Sequence, residues 1–328
     1  MTSGPSVPLA ARHSRYERWA AWALCGAVGL GTLARFLGRV HWLLELTTHF
    51  AVQSLVLAAL AALLLAIRRH RWAAWMTLIL ALMNGGGLWP LYQRVSSVNA
   101  VASQPALTLV TANVLSSNRD RTSLREWLIQ EQVEVVFLCE PDEWWEAEVT
   151  RWKDHWPYQM TASRPDNFGV GILSRYPLIE PRVIALAHDN PALECRFEAH
   201  GVRWTVLGLH PFPPRGRRYS QGRDAQLRGA AAHIQTLSHP LIVAGDLNTT
   251  SSSPLFGDLL RATDLRDSRA GRGLQPSWPA GHPLFQIPID HVLVSSDLQV
   301  HDRQVGPPIG SDHLPVLVRV SRIAPVRD

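Results

Sequence analysis

The chain has 328 residues, 46% of them hydrophobic, and a formal net charge of +5. The first 100 residues carry nine arginines and two acidic residues, a net +7, which leaves −2 on residues 101–328. The composition excludes a disordered chain, and the charge of the C-terminal part excludes a basic nucleic-acid footprint over that whole part, although not a local patch. Three cysteines exclude a disulfide scaffold, so we expect buried, inert thiols.

Three apolar segments occupy the first third of the chain. We predict transmembrane helices over about 19–37, 50–67 and 72–91, because each segment approaches the ~20 residues that cross a hydrocarbon core. The second segment has no charged residue, and a helix that is apolar on every side is typical of a membrane span. A single cleaved signal peptide is the alternative, but it leaves two apolar segments unexplained. Residues 1–92 are therefore predicted to form a membrane anchor.

The arginines predict how this anchor is oriented. Six arginines flank the first segment on its N-terminal side or fill the turn between the second and third segments, and three lie in the other loops. The first group is Arg12, Arg15, Arg18, Arg68, Arg69 and Arg71, and the second is Arg35, Arg39 and Arg94. Because cytoplasmic loops are enriched in arginine, we expect a multi-pass protein of the cytoplasmic (inner) membrane with a cytoplasmic N-terminus and an extracytoplasmic C-terminal domain. No ionisable residue lies mid-span, which disfavours a channel or transporter subunit.

After a short polar linker, predicted over 93–104, strand and helix patterns alternate over 105–323. The predicted strands are Leu107–Ala112, Val133–Cys139, Val170–Ser174, Trp204–Leu209, Leu241–Ala244, Ile289–Val294 and Leu314–Val320. The predicted helices are Thr122–Glu131, Asp142–Trp152, Asp224–Leu237 and Ser253–Leu260. About 220 residues of mixed elements predict one α/β or α+β domain with a substantial core. The strands are apolar throughout, which is typical of strands covered on both faces.

Polar side chains recur where these strands begin or end. They are Asn113, Glu140, His210, Asp246 and Asn248 at the ends of strands, and Asp290, Ser311, Asp312 and His313 at the beginnings. Residues at strand ends are held by a rigid scaffold and can face a shared cleft. Together they offer carboxylates for a hard cation, histidines for proton transfer and amides that hold oxygen ligands.

The spacing of these residues suggests their chemistry. Glu140 with Asp246 or Asp312 supplies the few carboxylates that Mg²⁺ takes from a protein when its other positions hold water or phosphate. Asp246 and Asn248 are two residues apart, so in extended chain they point the same way, towards a water and the phosphate.

Two histidines complete this chemistry. A carboxylate paired with His313 would fix its tautomer or stabilise its charged form, and Asp290 can serve as that carboxylate. His210 is a candidate donor of the proton to the leaving oxygen.

These residues and their order resemble the endonuclease/exonuclease/phosphatase family. The motifs are Asn113, Glu140, His210, Gly245-Asp246-Leu247-Asn248, Ile289-Asp290-His291 and Ser311-Asp312-His313. Further similar features are Gly171–Arg175, Arg223–Gln226 and Pro276–Pro279. The resemblance implies an α/β four-layer sandwich, two β-sheets flanked by helices, with a Mg²⁺ site at one edge and Mn²⁺ as the alternative ion. It identifies the chain as a membrane-anchored bacterial member of the family.

The resemblance also implies residue roles. Glu140 is the principal metal ligand, Asp312 lies near the metal, and Asn113 positions Glu140 and the phosphate. Asp246 activates or orients water, and Asn248 holds a phosphate oxygen. Asp290 orients His313, which contacts the scissile phosphate.

Substrate contacts are less closely determined by the sequence. Trp278 is predicted either at the rim of the cleft or in the core. Arg215, Arg217 and Arg218 follow His210 in a loop that either binds an anionic substrate or is only solvated. His291 is predicted to be a packing residue, because its neighbour Asp290 carries the motif and adjacent strand residues point oppositely.

The sequence thus predicts a divalent-metal-dependent phosphodiesterase at the outer side of the membrane. The tether ranks a lipid or envelope phosphodiester first, nucleic acid second because of the domain charge, and a soluble metabolite third. The alternative is a non-catalytic envelope protein that keeps the fold for binding or assembly. The bilayer and the phosphate ester are the expected partners.

Overall fold

A computed structural model describes residues 9–93 and 106–323, with side chains from residue 15 onwards. The chain divides into two compact units, Met1–Trp89 and Pro90–Asp328. The predicted linker 93–104 lies outside the described residues apart from Gln93.

The N-terminal unit is helical, but it does not contain three clear spans. Its helices are α1 (Leu9–Phe36), α2 (Trp42–Thr48), α3 (Ala51–Ile67) and α4 (Arg71–Gly86), followed by a 3₁₀ turn at Trp89–Leu91. Only Arg15–Phe36, 22 residues within α1, is long and apolar enough to cross a membrane among the described residues; α2 and α3, bent by 72°, count as a second span only if taken together. At ~1.5 Å per residue, the 17 residues of α3 and the 16 of α4 fall short of a hydrocarbon core of ~30 Å. The prediction of three transmembrane helices was therefore wrong in this respect.

The side chains of this unit are arranged with small residues inside and large apolar residues outside. The buried positions include Ala21, Cys25, Ala58, Ala61, Ala62, Ala73 and Ala81. The exposed positions include Trp19, Leu30, Phe36, Leu57, Leu60, Ile67, Trp72, Trp75 and Leu82. Asn84 joins α4 to α1, since its Nδ2 donates to Thr32 Oγ1 at 2.8 Å. Small residues and polar contacts between helices, with large apolar groups outside, are typical of helices that pack within lipid.

The C-terminal unit contains two six-stranded mixed sheets. The first sheet has the order β11-β12-β1-β2-β4-β3, and the second β5-β6-β7-β8-β10-β9. The strands are β1 (Leu107–Asn113), β2 (Val135–Cys139), β3 (Tyr158–Ala162), β4 (Val170–Ser174), β5 (Ile179–Ala185), β6 (Pro191–Ala199), β7 (Val202–Gly208), β8 (Leu241–Asp246), β9 (Arg266–Asp267), β10 (Asp290–Val294), β11 (Leu298–Val305) and β12 (Val316–Arg322). The helices are α5 (Ser123–Gln130), α6 (Glu143–Thr150), α7 (Arg217–Ile234) and α8 (Pro254–Thr263).

The two sheets pack face to face, and helices cover their outer faces. Strand β2 shows why its sequence is apolar throughout: Phe137 belongs to the core between the sheets, whereas Val136 and Leu138 belong to the core under α5 and α6. Helices α7 and α8 contribute Leu227 and Phe256 to a third core over the second sheet. Alternate residues of such a strand face opposite sides, and both sides are dry. The expected two sheets flanked by helices are confirmed.

Candidate active site

The polar residues predicted at strand ends meet where the two sheets adjoin. Strands β1 and β2 run parallel, so Asn113 and Glu140 emerge at one edge of the first sheet. Strands β7 and β8 are also parallel, which brings His210 and Asp246 to one edge of the second sheet. Strand β10 is antiparallel to β8 and pairs Asp290 directly with Asp246. The parallel pairs β1–β2 and β7–β8, together with the pairing of Asp290 with Asp246, therefore bring these side chains to one place.

Asn113 lies at the centre of the cluster. Its Nδ2 is 3.0 Å from Glu140 Oε1, 3.3 Å from Asp246 Oδ2 and 3.5 Å from His313 Nε2. Its Oδ1 accepts a hydrogen bond from the Leu115 N–H at 3.0 Å, which fixes the orientation of the amide. One amide therefore touches residues from both sheets.

Asp290 and His313 form a buried carboxylate–imidazole pair. His313 Nδ1 lies 2.9 Å from Asp290 Oδ2, and the two residues are 5% and 0% exposed. Burial opposes charge on the imidazole, but the carboxylates of Asp290 and Asp246 raise the pKa of His313 to about 10. Burial likewise opposes charge on Asp290, and the His313 cation outweighs it and lowers the pKa of that carboxyl. The pair is therefore ionised at neutral pH in the absence of a metal.

Asp246 is the carboxylate that faces His313 across the site. Burial raises the pKa of Asp246 to about 7, although the His313 cation acts in the opposite direction. Its Oδ1 accepts from the Asn248 N–H at 2.9 Å, and its Oδ2 lies 3.7 Å from both His210 Nε2 and His313 Nε2. The preceding Gly245 has φ +143°, and a Cβ there would lie 1.8 Å from Leu209 O. Glycine is required at this position so that β8 can approach the end of β7.

His210 lies beside the two carboxylates but is not poised as a proton donor. Burial, together with the His313 cation, lowers the pKa of His210 to about 3. Its Nε2 is 3.7 Å from Asp246 Oδ2 and 3.9 Å from Glu140 Oε1. The imidazole is neutral at pH 7, so it donates one hydrogen bond rather than releasing a proton. The proton-donor role expected from the sequence needs a charged imidazole, which burial and then the His313 cation oppose.

Glu140 has the features of a cation ligand. Its φ is +64°, in the left-handed region, and its N–H donates to Gly169 O at 2.9 Å. Burial raises the pKa of Glu140, against the hydrogen bond from Asn113, which lowers it. Within the described residues, its Oε2 is buried and accepts no hydrogen bond of ordinary geometry. A buried carboxylate oxygen without a donor is costly, and a divalent cation would satisfy it.

A second set of donor atoms is also compatible with an ion. Asp246, Asp290 and His313 each offer an atom, and these atoms lie within 4.8 Å of one another. His313 Nδ1 is already engaged with Asp290, however, and only a neutral imidazole ligates metal. Glu140 therefore fits a cation better than this trio does.

Asp312 and Trp278 border the site. Trp278 Nε1 donates to Asp312 Oδ2 at 2.9 Å, and its ring centroid is 6.2 Å from that of His313. Asp312 raises the pKa of Glu140 through its charge, which shows that the two carboxylates are near each other. Trp278 thus lies at the rim of the cleft, and Asp312 has one oxygen engaged with it.

Asn248 and Arg223 hold the turn after β8. Asn248 Nδ2 donates to Pro211 O at 2.9 Å, so one of its amide hydrogens ties this turn to the segment after His210. Arg223, only 1% exposed, donates from Nη1 to Asn248 O at 3.3 Å. Helix α7 begins at Arg217 and buries Arg223, so the Arg223–Gln226 feature lies within this helix.

A cavity of 430 Å³, here called the aromatic cavity, opens beside His210. Its wall includes Phe168, Phe212, Tyr219, Asn190 and Arg218. The Phe168 ring centroid is 5.7 Å from that of His210, and Asn190 Nδ2 donates to His210 O at 2.6 Å. Sequence reasoning missed all of these residues except Arg218, because they lie in loops or at a helix start and no strand end marks them. Arg215 and Arg217 are exposed and do not line this cavity.

The sequence pattern of the endonuclease/exonuclease/phosphatase family matches residues 110–313. No curated protein sequence matches the chain. Solved structures similar to it include D. rerio TDP2 complexed with a single-strand DNA product, at 17% identity and a TM-score of 0.56 over 66% of this chain and 99% of that one. An endonuclease/exonuclease/phosphatase from Beutenbergia cavernae has 19% identity and a TM-score of 0.54 over 68% and 74%. At such identities these structures show a shared fold.

Proposed function

Since the chain belongs to the endonuclease/exonuclease/phosphatase family, whose members are generally phosphoester hydrolases, we propose that it is a divalent-metal-dependent phosphodiesterase. The observation that carries this proposal is the convergence of an ionised Asp290–His313 pair on Asp246 beside Glu140, whose Oε2 is buried and has no hydrogen-bond donor among the described residues. A cation, a base and a proton-bearing imidazole around one point suit attack by water on a phosphate. The aromatic cavity beside His210 leaves room for a second ester group, which favours a diester over a monoester.

Glu140, with Asp312 nearby, would hold the metal, for which Mg²⁺ is the expected ion and Mn²⁺ the alternative. When bound, the ion neutralises charge that develops on a phosphoryl oxygen. Mg²⁺ usually takes only one or two carboxylates from a protein. Glu140, whose Oε2 has no donor among the described residues, and the nearby Asp312 match this number.

The chain's own groups divide the remaining work. Asp246 accepts the proton of the attacking water, since a base with a pKa near 7 combines availability with driving force. His313 contacts a phosphoryl oxygen through Nε2, while Asp290 keeps its Nδ1 protonated and its ring oriented. Neutral His210 and the Asn248 amide donate hydrogen bonds to phosphate oxygens, while the Asn113 amide positions Glu140 and Asp246.

The N-terminal unit would attach the enzyme to a lipid bilayer. Large apolar side chains on the outside of this unit, including Trp72 at 79% exposed, are unsuited to water. Arg15 and Arg18 begin the apolar stretch of α1, which favours a cytoplasmic N-terminus and an outer location for the enzyme if α1 is the span. The orientation is tested by fusing two reporters after Asp328, one active only outside the cytoplasm and one active only inside it. Activity of the first supports this orientation, and activity of the second overturns it.

The function is tested with the full chain in detergent and bis(p-nitrophenyl) phosphate as substrate. We expect turnover with Mg²⁺, none with a chelator, and a loss of at least ~100-fold in His313→Ala. His239→Ala is the matched control, because His239 is exposed and precedes β8 at the end opposite Asp246. Absence of turnover on diester and monoester alike, with the protein folded, would favour the non-catalytic binding protein instead.

A further inference from the structure

The aromatic cavity is connected to the catalytic residues by a run of rings. From His210 the ring centroids step 5.7 Å to Phe168, 4.8 Å from Phe168 to Phe212 and 5.2 Å from Phe212 to Tyr219. Phe212 is held in place from behind, because a Cβ at Gly222 would lie 2.7 Å from its ring. A substrate group attached to a phosphate at the site would therefore meet a fixed aromatic surface.

Polar groups accompany these rings. Asn190 is 4% exposed, and its Oδ1 accepts no hydrogen bond within the described residues. Arg164 is engaged by Asp166, with Nε 2.8 Å from Oδ1, and by Asp189 O. Arg218 lies in the first turn of α7, where the helix dipole disfavours a cation, and forms no ion pair in the part of the chain that the structure describes. The cavity thus offers stacking, an unmet acceptor and a cation that has no internal partner.

This combination discriminates between classes of substrate. Four charged side chains line the cavity, Arg164, Asp166, Asp189 and Arg218, which disfavours an acyl chain. The two guanidinium groups are matched by two carboxylates, and Arg164 is paired with Asp166, so the charges of the cavity do not select a quaternary ammonium headgroup, although aromatic rings alone would suit one. A flat heterocycle with hydrogen-bonding edges satisfies the rings and the polar groups together, and 430 Å³ lies within the range of small-ligand sites.

We propose that the aromatic cavity is a nucleoside subsite, in which a nucleobase stacks on Phe212 and packs against the nearly perpendicular ring of Phe168, while its phosphodiester occupies the catalytic site. The proposal rests on the proposed phosphodiesterase function and names its substrate class. The base packs against the rings, Asn190 Oδ1 accepts from its edge, and Arg218 at the mouth adds attraction for the anionic substrate. The net charge of −2 on residues 101–328 opposes a long duplex footprint but not one stacked nucleotide.

The test compares two kinds of dinucleotide with the full chain in detergent and Mg²⁺. The first kind is the intact dinucleotide thymidylyl-thymidine. The second kind consists of its two abasic analogues, each of which lacks one of the two thymines. The scissile bond is unchanged, so any difference reports the base. We expect kcat/KM to fall about 10-fold or more for at least one analogue. Equal values for all three would overturn the subsite.

Variants locate the effect. Phe212→Leu removes the flat ring and is expected to bring the ratio between the intact and abasic dinucleotides towards one, whereas the exposed Phe285→Leu leaves it unchanged. Arg218→Gln is expected to raise KM several-fold, whereas Arg228→Gln, an exposed arginine further along α7, does not. A base preference that survives Phe212→Leu would contradict the proposal.

The remaining outcomes separate this proposal from the function on which it rests. Glycerophosphocholine hydrolysed with a higher kcat/KM than the dinucleotide would overturn the nucleoside subsite while leaving the phosphodiesterase intact. Faster cleavage of a twelve-residue oligothymidylate than of the dinucleotide would support the subsite with nucleic acid as the source, and the reverse order would support it with a small nucleotide ester. If no ester is hydrolysed, the function fails. In that case titration calorimetry with thymidine 5′-monophosphate tests whether the aromatic cavity binds a nucleotide. If no binding is measured, the nucleoside subsite is overturned as well.

Discussion

His313 Nε2 lies 3.7 Å from Asp246 Oδ2, although His313 precedes a strand of the first sheet and Asp246 ends a strand of the second. Asp290, also of the second sheet, holds the other nitrogen of the same imidazole at 2.9 Å. The site is therefore made by the packing of the two sheets, and neither sheet contains it alone. Residues from both must be in register for the chemistry that we propose.

The pH dependence of turnover should report Asp246. Burial raises its pKa to about 7, and its ionised form is the base, so kcat/KM should rise with pH to a plateau whose apparent pKa is at or below about 7. A nearby divalent cation would move it lower. Asp246→Asn should lose at least ~100-fold in kcat, whereas Asp258→Asn on α8 should lose little. Activity that increases from pH 7 to pH 5 would contradict this role.

Removal of the Glu140 charge should weaken metal binding. We expect Glu140→Gln to raise the Mg²⁺ concentration for half-maximal activity by at least ~10-fold. Without Mg²⁺ the same variant should be more stable than the wild type, because a buried oxygen without a donor no longer carries charge. Both effects are measured by Mg²⁺ titration of turnover and by thermal unfolding.

Glu143→Gln is the matched control for Glu140, since Glu143 is exposed three residues later in α6. An unchanged Mg²⁺ requirement in Glu140→Gln would remove Glu140 from the metal site.

The sequence predicted which polar residues the fold brings together better than it predicted their surroundings. Strands such as β2 and β8 are buried on both faces, so their polar ends at Glu140 and Asp246 stand out from a continuous apolar run. Strand β5 is mostly exposed, and β6 carries two glutamates and an arginine between its apolar residues, so neither has such a run. The edge strand β5 pairs with β6, and β6 pairs with β7; such pairing makes these segments strands, and a local pattern does not contain it.

Two further features of the site, the pKa values of its histidines and the contacts between loops, could not be predicted from the sequence. The pKa of His210 is lowered first by burial and then by the charge of His313, more than 100 residues away in the chain. The aromatic cavity joins Phe168 to Phe212, which two different loops supply. Apolar composition alone predicted the helices of the N-terminal unit and the end of α3 at Ile67, but it did not predict that α4 ends at Gly86.

The stability of the C-terminal unit should depend on Glu194 above acidic pH. Burial raises the pKa of Glu194, but hydrogen bonds from His233 at 2.6 Å and Arg182 at 2.8 Å outweigh burial and lower it. A lowered carboxyl pKa stabilises the fold above about pH 4.5, and this contribution is lost as pH falls through the folded pKa. Glu194→Gln should reduce the free energy of unfolding by about 2 kcal/mol at pH 7 and by less at pH 3.

Glu198→Gln, on the same strand, is the control for Glu194. Its ion pair with Arg203 is exposed on both sides, at 62% and 63%, so we expect little change at either pH. Equal losses for the two variants in chemical unfolding would show that the Glu194 contacts do not contribute beyond a surface ion pair.

The central claim is that Asp290 and His313 act as one unit on a phosphodiester at the junction of the two sheets. The most direct measurement is a double-mutant cycle on kcat for bis(p-nitrophenyl) phosphate with Mg²⁺, using Asp290→Asn, His313→Ala and the pair. We predict a loss of at least ~100-fold in His313→Ala and no further loss when Asp290→Asn is added, because Asp290 acts through the imidazole. Losses that multiply in the double variant, or wild-type turnover in His313→Ala, would contradict the account.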